Sequence, residues 1–233
     1  MPFLDDLTGS WFRANYRKQV KPYDPTQDEA LARKELSQLP VAVMLGYLRE
    51  THRYFLEKAL PEMEQNVLHL LQHFSESHPH SVLLCNLFLC YKRHLSGHIQ
   101  QEEERLFPYV DGLLRWQQFR SEGAVPSERS PELAGVLDLY SVQRFQQDHT
   151  DVGQELVQLR QLVQRMTPEA GQPFPFNLFR TQLGEFERAL ARHAWLEDEV
   201  LLPKVHSMEC SLREMLAQMV TANQLAAARL QAS

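Results

Sequence analysis

The sequence predicts an all-α protein: an up-down four-helix bundle with an N-terminal arm and a C-terminal helical extension. Three observations predict it. The chain of 233 residues holds only 9 Gly and 13 Pro, about 9% together against roughly 12% in average usage, so turn residues are scarce. Apolar residues recur at helical spacing in four long segments. The breaks between those segments carry helix-stopping residues, Ser75 to Pro79, Glu122 to Pro126 and Thr167 to Pro173.

Residues 1–40 read as an irregular arm with Trp11, Phe12, Tyr16, Pro22, Tyr23 and Pro25, then a short helix from Asp28 to Gln38 ended by Pro40. The bundle is expected over 41–206. Its first helix runs from about Val41 to Phe74, with the stripe Leu45, Leu48, Phe55, Leu56, Ala59, Met63. The second runs from about Ser81 to Phe119, with Leu84, Phe88, Tyr91, Leu95, Leu106, Tyr109. The third runs from about Leu133 to Met166, with Val142, Phe145, Val152, Leu156, Leu159, Val163. The fourth runs from about Asn177 past Val205, with Phe179, Leu183, Phe186, Leu190, Val200. Residues 207–233 are Ala- and Gln-rich and extend or cap the bundle. Four amphipathic rods with short connections bury their stripes most simply against one another.

Composition excludes several function classes. The net charge is −6 and no basic stripe is present, so the cations that would displace counterions from nucleic-acid phosphates are missing. The most apolar run, Ser81 to Cys90, is half the roughly 20 residues a membrane helix needs. Two early acids and the lack of a basic segment before an apolar run argue against a secretory signal. A cytoplasmic protein, with neither nucleic acid nor membrane as partner, is expected. The three cysteines, Cys85, Cys90 and Cys210, make no C-x-x-C pair and read as buried free thiols.

Each stripe is interrupted by one histidine on the core side: His52, His98, His149 and His193. A lone core histidine is ordinary. Four, one per helix, need hydrogen-bond partners that a Leu/Phe/Val core does not offer. Glu102 follows His98 by four and Glu197 follows His193 by four, which puts each acid a turn away on the same face. A carboxylate facing such a core needs a compensating cation, and imidazole with carboxylate in a bundle core suits iron or manganese. The two segments are also alike: His98 to Pro108 and His193 to Pro203 share H-x3-E-[ED]-E-x-L-[FL]-P, as a duplicated helical hairpin would. His149 lies 17 residues before Met166 and His193 lies 17 after Phe176, about 26 Å of helix from the same turn. His52 and His98 match less well, by about 7 Å of rise, with Pro61 a candidate kink.

The pattern H…H-x3-E…H…H-x3-E resembles the hemerythrin-like di-iron bundle, and more narrowly the repair-of-iron-centres family that restores iron–sulfur clusters after nitrosative and oxidative damage. The third-helix run Asp148 to Leu156, with Leu159 to Leu162, is similar too. The resemblance implies two irons, oxo- or hydroxo-bridged, with Mn as a variant. It implies His52, His98, His149 and His193 as ligands, with Glu102 and Glu197 bridging. It implies NO, O₂ or peroxide as the small reactant and iron–sulfur proteins as clients. A di-iron sensor or iron store without turnover is the alternative reading, so enzyme status stays open. Two features depart from the pattern. Oxygen carriers of this type add a histidine four residues after the third-helix ligand, where this chain has Gly153; the iron-repair proteins often carry an N-terminal Cys pair, and residues 1–40 hold no Cys.

Other marked residues have blander readings. His69 and His73 lie off the His52 stripe and, with His78 and His80, read as solvated surface; His206 reads as exposed. His94, a turn before His98, reads as a rim residue or a support to the ligands. Tyr91, Tyr109 and Trp195 read as packing. Glu103, Glu104, Asp198 and Glu199 read as a solvated face.

Overall fold

The computed structural model describes residues 34–74, 79–121, 141–148, 153–166 and 173–231. Among them the chain is helical almost throughout and contains no strand. In chain order the helices are α1 (Val41–Tyr54), α2 (Leu60–Phe74), α3 (Pro79–Gln101), α4 (Phe107–Ser121), α5 (Val142–Asp148), α6 (Gly153–Arg165), α7 (Pro173–Leu196) and α8 (Leu202–Gln231). The expected first, second and fourth helices lie where the apolar spacing put them. The N-terminal arm, most of the Asp28–Gln38 helix and the onset of the third helix fall outside the described residues.

The long rods are interrupted three times by a π-helical turn: Phe55–Ala59 between α1 and α2, Glu102–Leu106 between α3 and α4, and Glu197–Leu201 between α7 and α8. Each turn is followed two residues later by a proline, Pro61, Pro108 and Pro203. The cause is steric. In an α-helix a proline ring collides with the carbonyl four residues back, here Glu57, Glu104 or Glu199. One extra residue per turn moves that carbonyl aside. At the first site the widened bond is explicit: the Leu60 N–H bonds to the Phe55 carbonyl, five residues back. The expected kink at Pro61 is therefore a local widening of the helix that begins three residues after His52.

The chain divides into two compact units, Met1–Gln101 with Thr150–Glu197, and Glu102–His149 with Asp198–Ser233. In the first, α2 packs on α3 and α7, α3 on α6, α6 on α7, and α1 on α7. Phe55, Met63, Leu84, Phe88, Leu159, Phe179 and Phe186 lie in one continuous buried core. Phe186 anchors it, meeting Phe55 edge-on at 5.3 Å and Tyr91 at 6.0 Å between ring centroids. Such pairs add about 0.5–1.5 kcal/mol each beyond their buried area.

A polar pair ties each seam of this core. Lys92 bonds Glu64 across α2 and α3 at 2.6 Å, and Asn66 donates to Gln182 across α2 and α7 at 2.6 Å. His94 meets Glu155 across α3 and α6, and Arg160 faces Glu187 across α6 and α7 at 3.8 Å. These part-exposed pairs contribute little each, and the apolar stripes supply most of the stability.

In the second unit α8 packs on α4 and α5. Leu113, Trp116, Val205, Met208 and Leu212 are buried, and so is Glu209. Its carboxylate accepts the Val142 N–H at 3.2 Å, meeting an N–H at the start of α5 that has no partner within the helix, and holds Arg213 at 2.8 Å.

The stripes predicted from spacing are buried with one exception. Leu56 is 39% exposed; it lies within the π-helical turn, one residue after the buried Phe55. Val152 lies outside the described residues. The reading of all three cysteines as buried holds for Cys85 alone; Cys90 and Cys210 are exposed. Cys90 follows Leu89 but sits on the outer side of α3, two positions from the buried Phe88.

Candidate metal centre

His52 is carried on the last turn of α1 and His193 on the last turn of α7. Apolar neighbours at helical spacing, Leu48 and Phe55 for one and Leu190 and Leu196 for the other, turn both imidazoles inward. They are 2% and 3% exposed, and their Nε2 atoms lie 3.3 Å apart. Glu197, opening the third π-helical turn, is 2% exposed and brings Oε2 to 3.6 Å from His193 Nε2. Three donors of the predicted set, from both ends of the sequence, thus meet in the first unit's interior. Phe55 closes one side, its ring edge-on to His193 at 5.7 Å.

Thr51 sets the protonation of His193. Its hydroxyl lies 2.7 Å from the Leu48 carbonyl, three residues back in the preceding turn, and donates its single proton there. Toward His193 Nδ1, at 2.7 Å, the same oxygen can only accept. Nδ1 therefore carries hydrogen, and Nε2 is the nitrogen at which a proton or a metal ion sits. Glu197 Oε2 lies 3.6 Å from that nitrogen. His52 Nε2, 3.3 Å from the same nitrogen, is the second donor a cation there would meet.

These residues fit a transition-metal ion. Two imidazole nitrogens within 3.3 Å of each other, with a carboxylate beside them, present borderline and hard donors to one small space. Burial makes the negative carboxylate costly there without a cation. His52 and His193 are the two nitrogen donors of a buried His/Glu group suited to metal ligation.

The other predicted residues stand as follows. Glu102 is fully buried and opens the second π-helical turn, as the first residue of the second unit and a buried candidate ligand. His98 lies a turn before it on α3 and is half-buried. His149 lies outside the described residues. Tyr91 and Tyr109 are buried as expected, and burial pushes both phenols well above their usual range, Tyr109 also through Glu209. Glu104, Asp198 and Glu199 are exposed and Glu103 is half-buried; His69, His80 and His206 are exposed. His73 and His78 have no described side chain.

Sequence reasoning missed Thr51 and Arg192. Arg192 is 3% exposed beside His193 and hydrogen-bonds Tyr47, whose phenol burial nevertheless holds up. A signal for Thr51 was present. Aligning the three prolines puts Thr51, His98 and His193 each ten residues before Pro61, Pro108 and Pro203. His52 is offset by one, which leaves the aligned position to the hydroxyl that supports the opposite histidine.

No family model matches the chain, and no solved structure matches it. One curated protein is similar: the iron–sulfur cluster repair protein ScdA of Staphylococcus haemolyticus, 23% identical over 161 residues, 69% of this chain. The match spans 65% of that protein's length. Among the described residues no helix is long and apolar enough to cross a membrane. With its helical architecture and its buried His/Glu cluster, the chain is similar to an iron–sulfur cluster repair protein, in agreement with the resemblance carried by its repeated H-x3-E motif.

Proposed function

We propose that this chain holds a di-iron centre of the hemerythrin-like type and acts in the repair of iron–sulfur centres after nitrosative or oxidative damage. The proposed ligands are His52, His98, Glu102, His149, His193 and Glu197. The observation that carries the reading is the approach of His52 Nε2 to His193 Nε2 at 3.3 Å, with His193 Nδ1 already committed to Thr51. That arrangement orients a ligand nitrogen in advance, as metal-bound histidines require. The similarity to a protein named for iron–sulfur cluster repair supports the same reading.

When bound, the metal pair supplies redox electrons and open coordination positions for a small molecule such as NO, O₂ or peroxide. The chain's own residues do the rest. Thr51 holds the His193 ring in one tautomer. Phe55 and Phe186 keep bulk water from that side. Glu197 offsets cationic charge from within the core.

Anaerobic loading with ferrous iron tests the assignment. Two irons per chain are expected after desalting, with a Mössbauer spectrum of a coupled pair. The loaded protein should then restore activity to a nitric-oxide-damaged iron–sulfur enzyme faster than an equal amount of ferrous salt. A chain that keeps no iron overturns the centre. A loaded chain no better than the salt overturns the repair role and leaves sensing or storage.

A further inference from the structure

A second cluster of metal-binding side chains lies apart from the buried His52–His193 pair. Cys90 and His94 stand four residues apart on one face of α3, and Glu155 faces them from α6. The three offer a thiol sulfur, a ring nitrogen and a carboxylate oxygen, all within 4.8 Å of one another. Glu155 turns Oε1 to His94 Nδ1 at 2.5 Å. Its other oxygen, Oε2, is out of solvent and meets no hydrogen-bond donor among the described residues. A simple surface ion pair leaves its second oxygen to water, so this carboxylate is held as if for a third group. Its charge is felt by the buried Tyr91 phenol, which lies on the inner side of the same helix.

We propose that Cys90, His94 and Glu155 form a site for one divalent transition-metal ion. Soft thiolate, borderline imidazole and hard carboxylate together suit Fe²⁺, Co²⁺ or Zn²⁺ and disfavour Mg²⁺ and Ca²⁺. Three protein ligands leave a position for water. Binding deprotonates the thiol: the Cys90 S–H bond breaks, sulfur bonds the ion, and the proton leaves to buffer. The site differs from the buried centre in access. His94 is 47% exposed at its side chain and Cys90 is exposed, so ions exchange with solution directly. It sits one helical turn, about 6 Å of rise, before His98 on α3. Of the cysteines, Cys85 is buried, whereas Cys90 and Cys210 are exposed.

Cobalt titration of the metal-free full-length protein tests the site without relying on the proposed iron centre. The expected result is a near-ultraviolet thiolate-to-cobalt charge-transfer band that saturates at one ion per chain. Cys90→Ser abolishes it, and His94→Ala lowers it toward background, with far-ultraviolet circular dichroism unchanged in both. His193→Ala, which breaks the buried pair, keeps the band. No band in the wild type overturns the proposal. So does a band that survives Cys90→Ser, which would place the ion on Cys210 beside His206. Loss of the band in His193→Ala would also overturn it, by merging the two sites.

Discussion

Thr51 Oγ1 lies 2.7 Å from Nδ1 of His193 and 2.7 Å from the Leu48 carbonyl oxygen, so a single hydroxyl couples the α1 backbone to a ring 142 residues away. Thr51→Val keeps the shape and removes the acceptor. The variant is expected to bind iron about 10–100-fold more weakly, as loss of a ligand's supporting hydrogen bond does elsewhere. It should also lose about 1–3 kcal/mol of stability from an unpaired ring N–H. Thr51→Ser should restore both. Competitive chelator titration and urea unfolding read the two effects. Wild-type affinity in Thr51→Val would remove Thr51 from the site.

Removal of ligands should separate buried from exposed histidines. His193→Ala, Glu197→Ala and His149→Ala are each expected to retain less than two irons per chain, with the coupled Mössbauer signal gone. His69→Ala, on the exposed side of α2, is expected to retain both. Elemental analysis of anaerobically loaded protein is the measurement. Equal iron in all four variants would contradict the ligand set.

The coincidence of proline and π-helical turn also has an energetic test. Deleting the exposed Glu57 removes the extra residue of the first turn and returns the flanking apolar faces to phase. Pro61 then meets an α-helical carbonyl, at a cost of about 3 kcal/mol. The deletion combined with Pro61→Ala should escape that cost. Urea unfolding of the two deletion variants is expected to differ by that amount. Equal stabilities would mean that the proline is not what the widened turn accommodates.

Glu187 supplies a pH dependence. Burial raises its carboxyl pKa and Arg160, 3.8 Å away, lowers it; burial is the larger effect. The folded state therefore holds the proton at higher pH than the unfolded chain does. Its ionised form opposes folding at neutral pH, and the opposition fades as pH falls through the raised value. Glu187→Gln should be more stable than wild type at pH 7, with the difference shrinking as pH drops into the ordinary glutamate range. Thermal unfolding across pH checks this. A wild type more stable than the variant at pH 7 would mean that Arg160 outweighs burial.

Much was legible in the chain before any coordinates, for a local reason. Leu84, Phe88, Tyr91 and Leu95 had to share a face because 3.6 residues make a turn, and they are buried together. The same arithmetic placed His52, His193, Glu102 and Glu197 inward, and all four are buried. It failed at Leu56, which lies in the widened turn before Pro61 and is exposed. The general reading of the cysteines as buried thiols failed at Cys90, whose own face of α3 is the outer one, and at Cys210.

By itself, the sequence determined the helices, their inward faces and the repeated acid-and-histidine spacing, because all three follow from contacts within a few turns of one rod. Only the tertiary structure decided that His52 meets His193, that Thr51 fixes that ring's proton, and that Glu155 reaches Cys90 and His94 from another helix. Those pairings join residues far apart along the chain, and their distances depend on how rods pack, which no periodicity within a single rod encodes.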